Sequence, residues 1–170
     1  MTLNSGNGRV RPGLAENTPR QTSRGEARSF DQLIVKLCGA FVRATGEEVD
    51  QEINLWLKRI VLALALDRAT VAEISPSGMW AFSHGWAREQ DQIISRPLDA
   101  NVLLPWLLRK MVAGETVVIP RLDDLPEEAA VDRESFRRHG TKSNVTIPIN
   151  AGGQLVGGVG FATMYEERKW

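Results

Sequence analysis

The stretch Lys142–Met164, KSNVTIPINAGGQLVGGVGFATM, decides how the rest of the chain is read. Two apolar runs flank Asn150-Ala151-Gly152-Gly153, the pattern of a β-hairpin turned by small residues. In the first arm Ser143, Val145, Ile147 and Ile149 alternate with Asn144, Thr146, Pro148 and Asn150, the two-residue period of a strand with one buried face. The second arm carries Val156, Gly158, Gly160, Ala162 and Met164 on one face, and Leu155, Val159 and Phe161 on the other. A glycine inside a strand weakens it unless something must come close. The pattern therefore predicts that helices lie directly on the Gly158/Gly160/Ala162 face. The bulkier face, shared with Val145 and Ile147, is predicted to line a separate compartment, which is where function is to be sought.

The chain of 170 residues has room for one domain that buries roughly two-thirds of its unfolded surface, so neither a disulfide nor a metal is needed to hold it. Its 21 basic and 21 acidic residues leave no net field to gather nucleic acid or an anionic membrane, so neither is expected as a partner. Cys38 is the lone cysteine, and no apolar run approaches the ~20 residues of a membrane span. These features predict a cytoplasmic protein.

Met1 to Arg28 reads as a disordered leader, with Arg9, Arg11, Arg20, Arg24 and Arg28 scattered among small polar residues and no periodic apolar set. The domain is predicted over 29–170. Ser29 and Gln32 have capping-box spacing, and Phe30, Leu33, Ile34, Leu37 and Phe41 follow at helical intervals up to Gly46. Asp50 opens a second helix with the stripe Ile53, Trp56, Leu57, Ile60, Val61 and Leu64. Leu55, Leu62 and Leu66 widen that stripe beyond one packing surface, and the extra partner is either the first helix or the same helix of another subunit. Ala69–Ile74 and Met79–Trp86 form a second predicted hairpin around Pro76-Ser77-Gly78, followed by a polar segment, Ala87–Asp99. A short helix then starts near Pro105 and ends at Gly114, and Thr116–Ile119 reads as a central strand. Short helices are predicted with caps at Asp124 and Asp132, the last ending at His139-Gly140. This order gives an α+β fold: an antiparallel sheet with two long N-terminal helices on one face, and short helices or loops covering a pocket on the other.

The same order and its residues resemble the GAF domain, a small-molecule-sensing and dimerising module of bacterial signalling proteins. The resemblance covers Phe30 to Trp170. Its most specific stretches are Leu66-Asp67-Arg68-Ala69, Leu104-Pro105-Trp106-Leu107 with Gly114-Glu115, and the acidic run Asp123 to Asp132. Gly140-Thr141-Lys142-Ser143, Ile147-Pro148-Ile149 and the glycine-rich arm complete them. The subgroup it looks most like stands ahead of histidine-kinase or transcription-regulator output modules. Such domains normally continue past the position of Trp170, so the resemblance implies a domain lacking its usual closing C-terminal helix. It further implies a non-catalytic sensor in a signalling system such as a two-component pathway, homodimeric through its N-terminal helices, which binds a small molecule and relays occupancy to an output partner. The alternative is a ligand-free dimerisation or protein-interaction module, as a piece of a longer signalling protein.

Residue by residue, little catalytic chemistry is legible. Cys38 falls on the apolar side of the first helix, where a thiol behaves as a small hydrophobe. One thiol cannot both attack and be resolved, which disfavours the methionine-sulfoxide reductase activity of some GAF-like enzymes, and its placement disfavours covalent bilin attachment. His84 and His139 lack a metal-pair partner at helical spacing, so no metal site is expected. Gly152-Gly153 and Gly157-Gly158 precede no helix and are not phosphate loops. The asparagine-lysine-phenylalanine-aspartate signature of cyclic-nucleotide GAF domains is absent, and no particular cofactor is indicated. The aromatics Trp80, Trp86, Trp106 and Phe136 flank the expected compartment, with Asp132, Arg133 and Ser143 as polar groups able to orient a ligand and Val145 on the floor. The predicted ligand-binding set is Trp86, Trp106, Asp132, Phe136, Ser143 and Val145. Arg68, next to Asp67, is expected in a structural ion pair.

Overall fold

The computed structural model describes residues 45–89 and 99–170, together with 32, 35–37 and 39. Gln32, Val35, Lys36, Leu37 and Gly39 are helical, within the predicted first helix. The remainder of that helix, Cys38, the predicted leader over 1–28 and most of the polar segment after Ala87 lie outside the described residues. The chain divides into Met1–Val42 and Arg43–Trp170, and the second unit carries the features below.

Helix α1 (Glu47–Ala63) starts one turn before the predicted Asp50, with Gly46 at its N-cap and a positive φ of 56° there. Its inner stripe is Trp56, Leu57 and Val61, all buried, while Leu55 and Leu62 are exposed. The chain leaves the helix through Ala65, whose φ of 50° is uncommon for a residue with a Cβ, and this turn drives Leu66 into the core at 1% exposure. The hairpin β1 (Arg68–Ile74) and β2 (Trp80–Ala87) follows. Next come α2 (Ala100–Leu103), α3 (Pro105–Val112), the short strand β3 (Val117–Ile119) and two 3-10 turns at Leu122–Asp124 and Glu127–Ala129. Helix α4 (Ala130–Arg138) leads to the deciding hairpin, β4 (Ser143–Ala151) and β5 (Gln154–Thr163). Gly152 and Gly153 make its two-residue turn with φ of 59° and 80°, the conformation that matches strand twist in a tight hairpin.

The five strands form one antiparallel sheet in the order β2-β1-β5-β4-β3, an α+β fold as the element order implies. Strand β3, predicted to be central, is an edge strand beside β4. Its Val117 and Ile119 are buried beneath the short helices, and Val118 on its other face is exposed. The apolar signal there reports the covering layer, not flanking strands.

Two apolar clusters divide the interior. On one face Leu57, Val61 and Leu66 meet Ala69, Val71, Trp86, Val159 and Phe161. On the other, Trp80, Trp106, Leu107, Met111, Ile119 and Phe136 gather with the short elements. This reverses the predicted assignment of the glycine arm: α1 lies on the Val159/Phe161 face, and Gly158, Gly160 and Ala162 face the short helices. The inference that something must come close to the glycines holds, but that something is Met111 of α3, because a Cβ at 158 would overlap its terminal methyl carbon, Cε. Leu155 also changes side. Ile149 pairs with Gly157 and Asn150 with Leu155, leaving Val156 as an extra residue that turns Leu155 towards the Trp80 cluster.

Candidate ligand-binding site

Three rows of residues across β1, β5 and β4 build the site. The registers place Arg68, Ala162 and Asn144 in one row, Thr70, Gly160 and Thr146 in the next, and Ala72, Gly158 and Pro148 in the third. The middle column has almost no side chain, so the sheet carries a trough with walls from its neighbours. Helices α2, α3 and α4 roof it with Leu103, Leu104, Leu107, Leu108, Met111, Ser135, Phe136 and His139, and Trp80 and Phe82 of β2 close the apolar end. The cavity volume is about 70 Å³. Ordinary drug-sized and cofactor sites run to ~300–1,000 Å³, so this one as shaped takes something much smaller.

The polar end is preorganised. Arg68 is 6% exposed, and its guanidinium donates to the His139 carbonyl at 3.2 Å and to Thr141 Oγ1 at 2.8 Å, joining the start of β1 to the end of α4. Burial pulls its pKa down to about 10, which leaves it cationic at neutral pH. His139 Nδ1 lies 2.8 Å from the Ser135 carbonyl, so this nitrogen carries the proton. Thr146 Oγ1 donates to Asn144 Oδ1 at 2.7 Å. Among the described residues of this lining, Arg68 and His139 are the ionisable ones.

Of the six predicted site residues, Phe136 lines this cavity. Trp106 and Asp132 stand behind its wall: Trp106 Nε1 donates to Glu128 at 3.1 Å, and Asp132 accepts from the backbone N–H groups of Trp106 and Leu107 at 3.0 and 2.8 Å. Asp132 was expected to cap its own helix; it lies inside α4 and caps α3 from across the layer, meeting the donors that an N-cap side chain would meet. Burial pushes its carboxyl above the usual range, with those two backbone bonds pulling the other way. Trp86, Ser143 and Val145 do not reach the cavity. Trp86 packs on the α1 cluster under Lys58, Val145 pairs with Phe161 in register on the far face, and Ser143 donates to the Ile119 carbonyl at 2.9 Å while accepting from Trp170 Nε1. Arg133 is occupied with carbonyls of Leu122, Leu125 and Pro126. Asp67 pairs with Arg88 and accepts from the Met164 N–H.

The residues that sequence reading missed are Arg68, Thr70, Asn144 and Thr146. They occupy the polar positions of alternating strands, which read as solvent-facing when a strand has one buried face. Their signal was register: each is opposite Gly160 or Ala162, and a polar residue beside an empty position in a covered sheet faces a void.

An antiparallel sheet covered on one face by a long helix, and on the other by short helices over a small cavity, defines a domain of the α+β class with a hollow on one side of its sheet. The family profile of the GAF domain matches residues 48–170, and the chain belongs to that family. Solved structures agree on the fold. The phycocyanobilin-bound GAF domain of a cyanobacterial phytochrome is 16% identical, with a TM-score of 0.67 and 82% of each chain covered. A domain of a putative two-component sensor histidine kinase from Sinorhizobium meliloti 1021 is 20% identical, with a TM-score of 0.55 over 75% of this chain and 79% of that one. The GAF domain of a phosphoenolpyruvate-protein phosphotransferase from Coxiella burnetii is 16% identical, with a TM-score of 0.60 over 78% and 76%. No curated protein matches the chain. Among the described residues no helix is long and apolar enough to cross a membrane, and no cluster of His, Cys, Asp and Glu stands ready for a metal.

Proposed function

We propose that this domain is a non-catalytic regulatory module of a cytoplasmic signalling protein. It takes a small molecule into the trough over Gly158–Ala162 and relays occupancy through its helices to a kinase or transcription-regulator output. The observation that carries this reading is the trough itself, a covered hollow with an apolar end and a preorganised polar end. Ligand contact is proposed for Phe136, from α4, with Trp106 and Asp132 holding the roof that must shift when the hollow fills. Family membership and the sensor-kinase domain among the similar structures support the signalling context.

Native mass spectrometry of freshly purified protein, compared with the denatured chain, tests for a retained small molecule and counts subunits together. Phe136→Ala should weaken binding at least tenfold. A hollow that admits no small molecule under any condition would leave the second reading, a dimerisation module. That reading draws on the exposed Leu55 and Leu62 of α1, and under it Leu55→Ala should weaken self-association.

A further inference from the structure

We infer that the space over Gly160 is a hydroxyl site, which takes the O–H of a water molecule or of a short alcohol. In naming the head of a guest this rests on the sensory reading of the same trough. A Cβ built at Gly160 would lie 3.3 Å from Thr70 Oγ1, 3.5 Å from Thr146 Oγ1 and 3.8 Å from Asn144 Nδ2. Polar atoms of both flanking strands thus face one space that no side chain of the described residues fills. Asn144 is 6% exposed, and its Oδ1 accepts from Thr146 Oγ1 at 2.7 Å. Its Nδ2 has no protein acceptor among the described residues. A buried N–H donor without an acceptor is costly, so this nitrogen calls for one from a molecule in the space.

The directions of the hydrogen bonds select the molecule. Thr146 has committed its hydroxyl proton to Asn144 Oδ1, so towards the space it offers lone pairs alone. Asn144 Nδ2 offers N–H groups alone, and the Thr70 hydroxyl either donates or accepts. A molecule that meets Thr146 and Asn144 together must both donate and accept, which a hydroxyl does with one oxygen. An acceptor without a proton would set its lone pairs against those of Thr146, and an ammonium would set its protons against those of Asn144 Nδ2. Size follows from the cavity of about 70 Å³. A water takes about 30 Å³ in the liquid and an engineered cavity of about 150 Å³ accepts benzene, so about two waters fit, or a guest of about three heavy atoms. Ethanol is such a guest. With its oxygen over Gly160, its two carbons run towards Gly158, where the terminal methyl group of Met111 and the Trp80 ring bound the space.

The test follows Asn144 by NMR in the whole protein, with its side-chain amide protons and the Met111 methyl group as reporters. Wild type is compared with Gly160→Ala, which puts one methyl group into the space, and with Asn144→Leu, which assigns the amide signals by removing them. The Asn144 amide protons should receive magnetisation from a bound water, and Gly160→Ala should abolish that transfer. Added ethanol should replace the water contact and shift both reporters, with saturation at roughly millimolar concentration, the most that three heavy atoms give. A water contact that ethanol does not displace assigns the hydroxyl to water, and one that it does displace assigns it to the alcohol. Acetonitrile, with three heavy atoms and an acceptor but no donor, should bind at least tenfold more weakly than ethanol, and equal binding would overturn the hydroxyl. A water contact unchanged in Gly160→Ala would place the water elsewhere and overturn the inference. Amide protons that sense neither water nor ethanol would also overturn it, and a small molecule retained in native mass spectrometry would then show that the sensory reading survives.

Discussion

Strand β5 serves two faces of the sheet with alternate residues, and the two are built on opposite principles. Val159 and Phe161 project towards α1 and are met there by Leu57, Val61 and Leu66, so that face is closed by filling. Gly158, Gly160 and Ala162 project the other way, and Met111 of the covering helices comes down at Gly158. On the filled face the apolar surface removed from water stabilises the fold at about 25 cal/mol per Å². On the vacated face that stabilisation is forgone at the centre of the sheet, and polar groups gather around a space. The difference separates what holds the domain together from what the domain can hold.

The largest effect expected belongs to the filled face. Leu66→Ala should destabilise the domain by about 3 kcal/mol in denaturant melts, since it combines lost transfer energy with a cavity that cannot collapse. A cost below about 1 kcal/mol would show a loosely packed face and erase the contrast.

The glycines of β5 sharpen the comparison because what each would strike differs. At Gly157 an added Cβ would overlap the backbone carbonyl of Ala72, which cannot swing aside, so Gly157→Ala should cost about 2 kcal/mol. At Gly158 the obstacle is the flexible end of Met111, and about 1 kcal/mol is expected. At Gly160 the neighbours are side-chain polar atoms at 3.3 Å or more, and Gly160→Ala should change stability by no more than about 0.5 kcal/mol. Equal costs at all three positions would mean that the vacated face is packed like the other.

Asp132 supports the roof of the vacated face. Removing its carboxylate with Asp132→Ala leaves two N–H groups at the start of α3 without their acceptor, for about 1–2 kcal/mol. Because burial raises its folded pKa, its titration favours the folded state fully at pH below the ordinary carboxylate range, and that contribution is lost as pH rises through the raised value. The advantage of wild type over Asp132→Asn should therefore shrink between acid and neutral pH. An advantage that grows with pH would show that the two backbone bonds outweigh burial. The smallest effect is expected of Leu55→Ala, exposed on α1: under about 0.5 kcal/mol on folding.

The fold was legible because its punctuation is local. The Gly152-Gly153 turn, Pro105 at the first turn of α3 and Gly140 after α4 each act within a few residues, and each stands where the sequence reading put it. The site was not, because it depends on which face of β5 meets which layer. Alternation states that a strand has two faces; it does not state which is filled. The reading took glycine as room for a helix backbone, whereas the helices here rest on taller residues and one side chain reaches down. Ser143 and Val145 fall on the other face together for this reason, since one parity choice places both; Trp86, grouped by sequence with the aromatics around the compartment, parts from Trp80 because Ser83 is an extra residue in β2 opposite Val71 and Ala72. Phe136 escaped the error because it comes from α4 and its place does not depend on strand parity. Asp132 shows a different limit: its acceptors serve donors 25 and 26 residues away, a distance over which capping rules are silent.

The contact of Met111 with Gly158 has one more consequence. The far wall of the hollow is a thioether on an unbranched stem of three rotatable bonds, standing on a strand position that has no side chain to obstruct it. A change of rotamer there lengthens the trough along β5 without moving any backbone. The bore of the compartment is thus adjustable like a piston in a sleeve, and a shorter residue at 111 would lengthen it while leaving the space over Gly160 as it is.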